Sequence, residues 1–204
     1  GNIIFVVDKS TDGTLEILKN IAAKDHSVSI IALSSRFGHQ RSLMAGIDNV
    51  TADVSIVMDG DLQHPPELIP KLLAEYEKGN DIVYTVRQDT VKIGFFKRIT
   101  SKMFYYIFNV LSDISIQEGA ADFYLLSARV LAVLKTEIRE RNIFLRGLIR
   151  WMGFRQSSVP YVAAERKAGK SKYSLSRLVQ LALSGVISFS KKPLRLASIL
   201  GFVF

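Results

Sequence analysis

Four short apolar runs rich in β-branched residues recur along the chain: Ile3–Val7, Val28–Leu33, Val54–Met58 and Ile82–Val86. Runs this short and this continuous read as strands buried on both faces. Helix signals fill the gaps between them. Thr14 follows the turn Ser10-Thr11-Asp12-Gly13 and can cap a helix reaching residues 20–23. Residues 38–49 read as a helix whose quieter face carries Leu43, Ala45, Gly46 and Ile47. Pro65-Pro66-Glu67 opens another helix, because proline is tolerated in a first turn, and Gly79-Asn80 ends it after Lys78. Strands alternating with helices predict an α/β domain with a mainly parallel sheet. In such sheets ligands gather beyond the carboxyl ends of the strands, where Asp8, Asp59 and Arg87 lie.

The second half is less regular. Residues 92–112 are basic and aromatic and read as a helix with an apolar side; 113–120 read as a loop, and 122–134 as strand-to-helix material. Residues 163–173 form a polar basic loop, and Leu175–Phe189 is apolar enough to lie on a membrane. Both ends look cut: the chain starts without Met at Gly1, and it ends inside the apolar run Leu196–Phe204, too short to span a bilayer, so the opening of a transmembrane helix is expected, the alternative being a C-terminal core strand or helix end. Lys191, Lys192 and Arg195 flank that run and place this side in the cytoplasm by the positive-inside tendency. Trp151 is expected to pack at the membrane-proximal face.

Charge divides the chain. Residues 1–91 carry a net −5 and residues 92–204 a net +13. An acidic half suits cations; a basic half suits phosphates or an anionic membrane face, unless both are ordinary solvated surfaces. The basic residues accompany membrane-like apolar runs rather than a reader helix or a stacking sheet, which argues against a nucleic-acid partner. With 204 residues, 48% of them hydrophobic, the chain can build one real core, and the absence of cysteine excludes disulfides, thiolate metal sites and a cysteine nucleophile.

Asp59-Gly60-Asp61-Leu62-Gln63-His64 is the strongest local signal for chemistry. Two carboxylates one residue apart at a strand end can share a hard divalent cation, with Gln63 or His64 as further donors. Asp8, at the first strand end, can accept hydrogen bonds from a nucleobase or ribose. Asp12, Gly13 and Thr14 are adequately explained as an Asx turn leading into a helix.

The chain resembles the family 2 glycosyltransferases that act on polyprenyl phosphates, such as bactoprenol glucosyltransferases and dolichyl-phosphate mannose synthases. The resemblance rests on Val7-Asp8 with Ser10-Thr11-Asp12-Gly13-Thr14, Ser35-Arg36-Phe37-Gly38-His39-Gln40, Met58–Glu67, Ala121-Asp122-Phe123, Arg146-Gly147 with Trp151 and Gly153-Phe154, and Arg166 with Gly169–Tyr173. It implies a GT-A domain over residues 1–162 that lacks the family's first strand and part of the nucleotide site, an acceptor loop over 163–173, and an interface helix with the start of a transmembrane helix over 174–204, the transmembrane helices themselves being missing. It implies a nucleotide-sugar donor, UDP-glucose first and GDP-mannose second, at Asp8, Ser35, Arg36, His39, Gln40, Asp59, Gly60 and Arg87. It implies Mg²⁺ or Mn²⁺ on Asp59, Asp61 and Gln63, with Asp61 and Asp122 as catalytic residues. Asp122 would orient sugar or acceptor, or act as base. The acceptor is a polyprenyl phosphate at the cytoplasmic face of the plasma membrane, and a homo-oligomer is compatible with the family.

Two positions depart from the family pattern. Lys9 stands where a second Asp is common, and Tyr124 where many relatives carry an Arg expected to hold the acceptor phosphate. That work then falls to Arg98, Lys102 or Arg129, with Arg146, Arg166, Ser171 and Lys172. The leading function is inverting transfer of one hexose to the lipid phosphate. The alternatives are a catalytically silent nucleotide-sugar-binding protein on the membrane, motivated by Lys9 and Tyr124, and a transferase acting on a polysaccharide or protein hydroxyl.

Overall fold

The computed structural model describes residues 1–88, 119–140, 143–162, 198 and 201. The chain divides into two compact units, Gly1–Ser55 with Ala128–Ile143, and Ile56–Ser127 with Phe144–Phe204.

In the first unit β1 (Ile3–Val7) and β2 (Val28–Ala32) pair in parallel, in register from Ile3↔Val28 to Val7↔Ala32. Parallel strands need a crossover, and α1 (Thr14–Ala22) supplies it. Its N-cap is Gly13, at φ 76°, rather than the expected Thr14. Asp12 instead serves the helix start, accepting the Thr14 N–H at 3.1 Å and the Thr14 hydroxyl at 2.7 Å. The Ser10 hydroxyl first, and then Thr14, hold the exposed Asp12 carboxyl down to about 2. Helix α2 (His39–Asp48) packs on β1, so closely that a Cβ at Gly46 would come within 3.1 Å of Val6 Cγ2. Arg139 closes this unit through two hydrogen bonds to the Asp48 carboxylate, at 2.9 and 3.0 Å.

The second sheet has four strands, β3 (Val54–Val57), β4 (Ile82–Gln88), β5 (Ala120–Ser127) and β6 (Gln156–Val162), in the order β3-β5-β4-β6. β4 and β6 are parallel and β5 runs antiparallel to β4, in keeping with an α/β fold whose pairing is mainly, not wholly, parallel. The helix expected from Pro65 breaks in two. A 3₁₀ turn, Pro66–Leu68, leads into α3 (Ile69–Glu77), which packs against β4, β5 and β6. Glu75 on α3 accepts a 2.8 Å hydrogen bond from the Ser157 hydroxyl of β6. After β5 the chain enters the first unit with α4 (Ala128–Thr136), which buries Val130, Leu131 and Leu134. A short helix, α5 (Leu145–Trp151), belongs to the second unit. Arg150 of α5 lies over the Tyr84 ring, 4.2 Å from its centre. Trp151 is 61% exposed. No helix among the described residues is long and apolar enough to cross a membrane.

The β4–β5 register is irregular. Tyr84 faces Tyr124, yet Val86 faces Ala120. Two extra residues are therefore accommodated on β5, and bulges of this kind re-aim side chains near sites. Gly119 (φ 80°) closes the bulge, its carbonyl accepting the Arg87 N–H at 2.8 Å. A Cβ at Gly119 would lie 2.7 Å from the Arg87 carbonyl oxygen. Gly119→Ala is thus expected to cost about 2 kcal/mol or more, from a forced left-handed backbone and a backbone clash. The midpoint of urea unfolding would report it, and an unchanged midpoint would mean the bulge relaxes without cost.

Candidate active site

In the first unit Asp8 follows β1, and its carboxylate is spent on main chain. Oδ1 accepts the Phe37 N–H at 3.0 Å and Oδ2 the Gly38 N–H at 3.2 Å. Arg36 Nε donates to the Lys9 carbonyl at 3.0 Å. The strand end and the loop before α2 are therefore stitched together across some 29 residues of sequence. Ser35 and Arg36 are exposed on that loop, and at the start of α2 His39 is exposed and Gln40 half-buried. The structure so gathers Asp8, Ser35, Arg36, His39 and Gln40 in one place, with Asp8 organising the loop.

In the second unit the turn after β3 carries the paired carboxylates. His64 is buried against it. Its Nδ1 accepts the Asp59 N–H at 2.9 Å, which requires the lone pair on Nδ1, and Nε2 lies 3.9 Å from Asp59 Oδ2. Its ring stacks on Phe123, centre to centre 5.1 Å at 19°, and meets Tyr161 edge-on at 6.1 Å. So engaged, His64 supports the turn rather than serving as a metal ligand. Asp61 accepts the Gln63 N–H at 3.1 Å, an Asx turn. Between them Leu62 takes φ 63°, and it is the only non-glycine residue with positive φ among the described residues. Such a conformation costs about 1–2 kcal/mol in a residue with a Cβ. The 37% exposed Asp59 side chain and the exposed Asp61 remain accessible.

No three of His, Cys, Asp and Glu gather into a metal-binding group among the described residues. The donors at this turn are Asp59, Asp61 and the Gln63 amide. That oxygen-rich, incomplete set fits a hard cation that completes its shell with substrate phosphate and water.

Asp122 on β5 is a buried charge in this unit. Arg146 on α5 grips it from both sides of its fork, Nε to Oδ1 at 3.1 Å and Nη2 to Oδ2 at 2.9 Å. Sequence reading placed Arg146 at an acceptor phosphate; its guanidinium here is committed to Asp122 in a bidentate pair. Tyr161 lies opposite Arg87 in the β4–β6 register. Burial first pushes the Tyr161 hydroxyl above its ordinary range. Arg87 and Arg146 pull it down, while Asp59 and Asp61 push it up. One ring thus senses both carboxylates of the turn and two arginines.

Arg129 is exposed on the first turn of α4, in the first unit. Arg98, Lys102, Arg166, Ser171 and Lys172 lie outside the described residues, as do most of residues 163–204. Three contributors had escaped the sequence reading: Tyr161, Gly119 and the Tyr84 ring. Tyr161 ends an alternating stretch, Ser157-Ser158-Val159-Pro160-Tyr161, whose period of two was its one available signal.

A model of glycosyl transferase family 2 matches residues 2–134. An uncharacterized glycosyltransferase of Bacillus subtilis (strain 168), YkcC, is 40% identical over 201 residues, covering 98% of this chain and 62% of its own length. A bactoprenol glucosyl transferase of Shigella phage SfX is 39% identical over 199 residues, covering 98% of this chain and 65% of that protein. The chain therefore spans somewhat less than two thirds of these relatives. Among solved structures, the glucosyl-3-phosphoglycerate synthase of Mycobacterium tuberculosis, in complex with Mn²⁺, UDP-glucose and phosphoglyceric acid, matches at TM-score 0.51 and 17% identity. It covers 90% of this chain and 68% of that one. At that identity the likeness speaks for the GT-A fold alone. Taken with the ordered sequence motifs, the family match over residues 2–134 establishes that this chain belongs to glycosyl transferase family 2.

Proposed function

We propose that the protein transfers a hexose, glucose in the first instance, from a nucleotide sugar to a polyprenyl phosphate at the cytoplasmic membrane face, with inversion. The observation that carries this reading is the second unit's pairing of an accessible Asp59–Asp61 turn with a buried, arginine-clamped Asp122. The name of the phage relative supports the lipid acceptor and the glucose. The Mn²⁺ and UDP-glucose of the mycobacterial structure support a divalent cation and a uridine donor.

The chemistry asks little of a base. A phosphate monoester has its second pKa near 6 and is already anionic at neutral pH. Its oxygen attacks the anomeric carbon without first losing a proton to the protein. Asp122 fits this: with both oxygens on one guanidinium, it is built to orient sugar or acceptor. Asp59, Asp61 and Gln63 would hold Mg²⁺ or Mn²⁺. Bound there, the cation supplies charge neutralisation for the departing diphosphate. His64 keeps the turn in shape, and Asp8 keeps the loop of Ser35, Arg36, His39 and Gln40 in shape for the nucleotide. Arg87 and Arg129 supply further positive charge, as do the basic residues outside the described region.

The test uses the complete gene product in membranes, with labelled UDP-glucose or GDP-mannose and added polyprenyl phosphate. Glucose label is expected in the organic-extractable lipid with Mg²⁺ or Mn²⁺, and not with chelator. Label entering polysaccharide or protein would instead identify a hydroxyl acceptor. Nucleotide-sugar binding with no transfer from either donor would identify a silent binding protein.

A further inference from the structure

Lys9 departs from the family pattern at the end of β1, beside the loop proposed to hold the nucleotide. Its surroundings say what a cation does there. The Asp8 carboxylate is spent on main chain: Oδ1 accepts the Lys9 N–H at 3.2 Å and the Phe37 N–H at 3.0 Å, and Oδ2 the Gly38 N–H at 3.2 Å. Asp12, the next carboxylate along, is held by the Ser10 and Thr14 hydroxyls. Arg36 Nε donates to the Lys9 carbonyl at 3.0 Å, which brings two cationic residues together. Both are exposed, and neither forms an ion pair among the described residues.

Like charges held together repel, and exposure to water weakens that without removing it. An Asp at position 9 would offset the Arg36 charge, whereas Lys adds to it. The Phe37 and Gly38 amides, which could otherwise meet an anion, are taken by Asp8, so side chains must supply the donors. An ammonium and a guanidinium have donors only. Their match is a ligand with several anionic oxygens, which a nucleotide carries on its phosphates and not on its base. We propose that Lys9, together with Arg36, binds the phosphates of the donor nucleotide. This rests on the reading of this loop as the donor site. Lys9 then strengthens donor binding in place of the Asp common in the family, and does so without reading the base.

Lys9→Met removes the charge and keeps the stem; Lys9→Arg keeps the charge. The test is calorimetry on the complete gene product with whichever of UDP and GDP the parent binds. Kd is expected to rise about tenfold in Lys9→Met, or ~1.4 kcal/mol, and to stay within about twofold in Lys9→Arg. The rise should be smaller with the matching nucleoside monophosphate, which carries less charge, and should shrink in about 0.5 M NaCl, where screening weakens a charge contact. The melting temperature should not move, because Lys9 is exposed. An equal rise with monophosphate and diphosphate, indifferent to salt, would overturn the proposal in favour of a base or ribose contact. An unchanged Kd in Lys9→Met, with a raised KM for polyprenyl phosphate, would overturn it by moving Lys9 to the acceptor. A parent that binds nucleotide and transfers hexose, with neither constant changed in Lys9→Met, would overturn this inference alone and leave Lys9 a solvated surface charge. A parent that binds neither nucleotide would overturn the proposed function and this inference with it.

Discussion

Arg146→Ala is expected to destabilise the protein by about 3 kcal/mol and to abolish measurable transfer. Asp122 is enclosed, with 9% of its side chain exposed, and Arg146 is its bidentate partner. Removing one half of a buried pair leaves an uncompensated charge, and such changes cost about 3–5 kcal/mol. The 27% exposure of Arg146 argues for the lower end. Asp122→Asn in the Arg146→Ala background removes the stranded charge. Stability should return to within about 1 kcal/mol of the parent by urea unfolding, since the loss came from one partner outliving the other. On the proposed function, in which the clamped carboxylate orients substrate, activity should not return, because an amide lacks that charge. Recovery of both would show that the pair only holds β5 and α5 together. Recovery of neither would place the cost elsewhere in α5.

Asp61→Ala should lower kcat at least ~100-fold, about 2.7 kcal/mol in the barrier, with little change in stability. Asp61 is exposed, so no packing is lost; what goes is half of the carboxylate pair and the hydrogen bond that closes the Asx turn on Gln63. Asp61→Asn keeps an oxygen for that turn and loses only the charge, so it should be nearly as inactive. Titrating Mn²⁺ against rate in each variant measures the effect directly. Full metal-dependent transfer by Asp61→Ala would remove Asp61 from the cation site.

The parts of the fold legible in sequence were those where one physical signal dominated. β1 to β4 are runs of β-branched residues with few competing patterns, and their observed bounds sit within two residues of the expected ones. Competing signals hid the rest. β6 contains two serines and Pro160, which mask its period of two; it is an edge strand on β4, where proline is tolerated. α5 is seven residues long with Gly147 in its interior, too short and too permissive for a periodic pattern to show. The cap of α1 moved from Thr14 to Gly13 because the Asp12 side chain could serve the helix start from outside it.

In the site, the Asp59–Asp61 turn was legible because spacing alone puts two carboxylates together. The Asp122–Arg146 clamp was not. It joins residues 24 apart through a strand and a helix that only the folded unit brings side by side. Asp8 was legible as a residue with a purpose, but not that the purpose includes holding the Phe37 and Gly38 amides. A carboxylate at a strand end looks the same in sequence whether it faces ligand or main chain.

The hydrogen bond from the Asp59 amide to His64 Nδ1 has an electrostatic corollary. An imidazole that accepts at one nitrogen carries no net charge. The turn therefore presents two negative charges and no positive one of its own, the formal match of a single dication. A lysine or arginine in the place of His64 has no lone pair to accept the Asp59 N–H, and its charge would lower the net charge of the turn to −1. With a neutral ring as its strut, the turn keeps the full −2 charge of its two carboxylates.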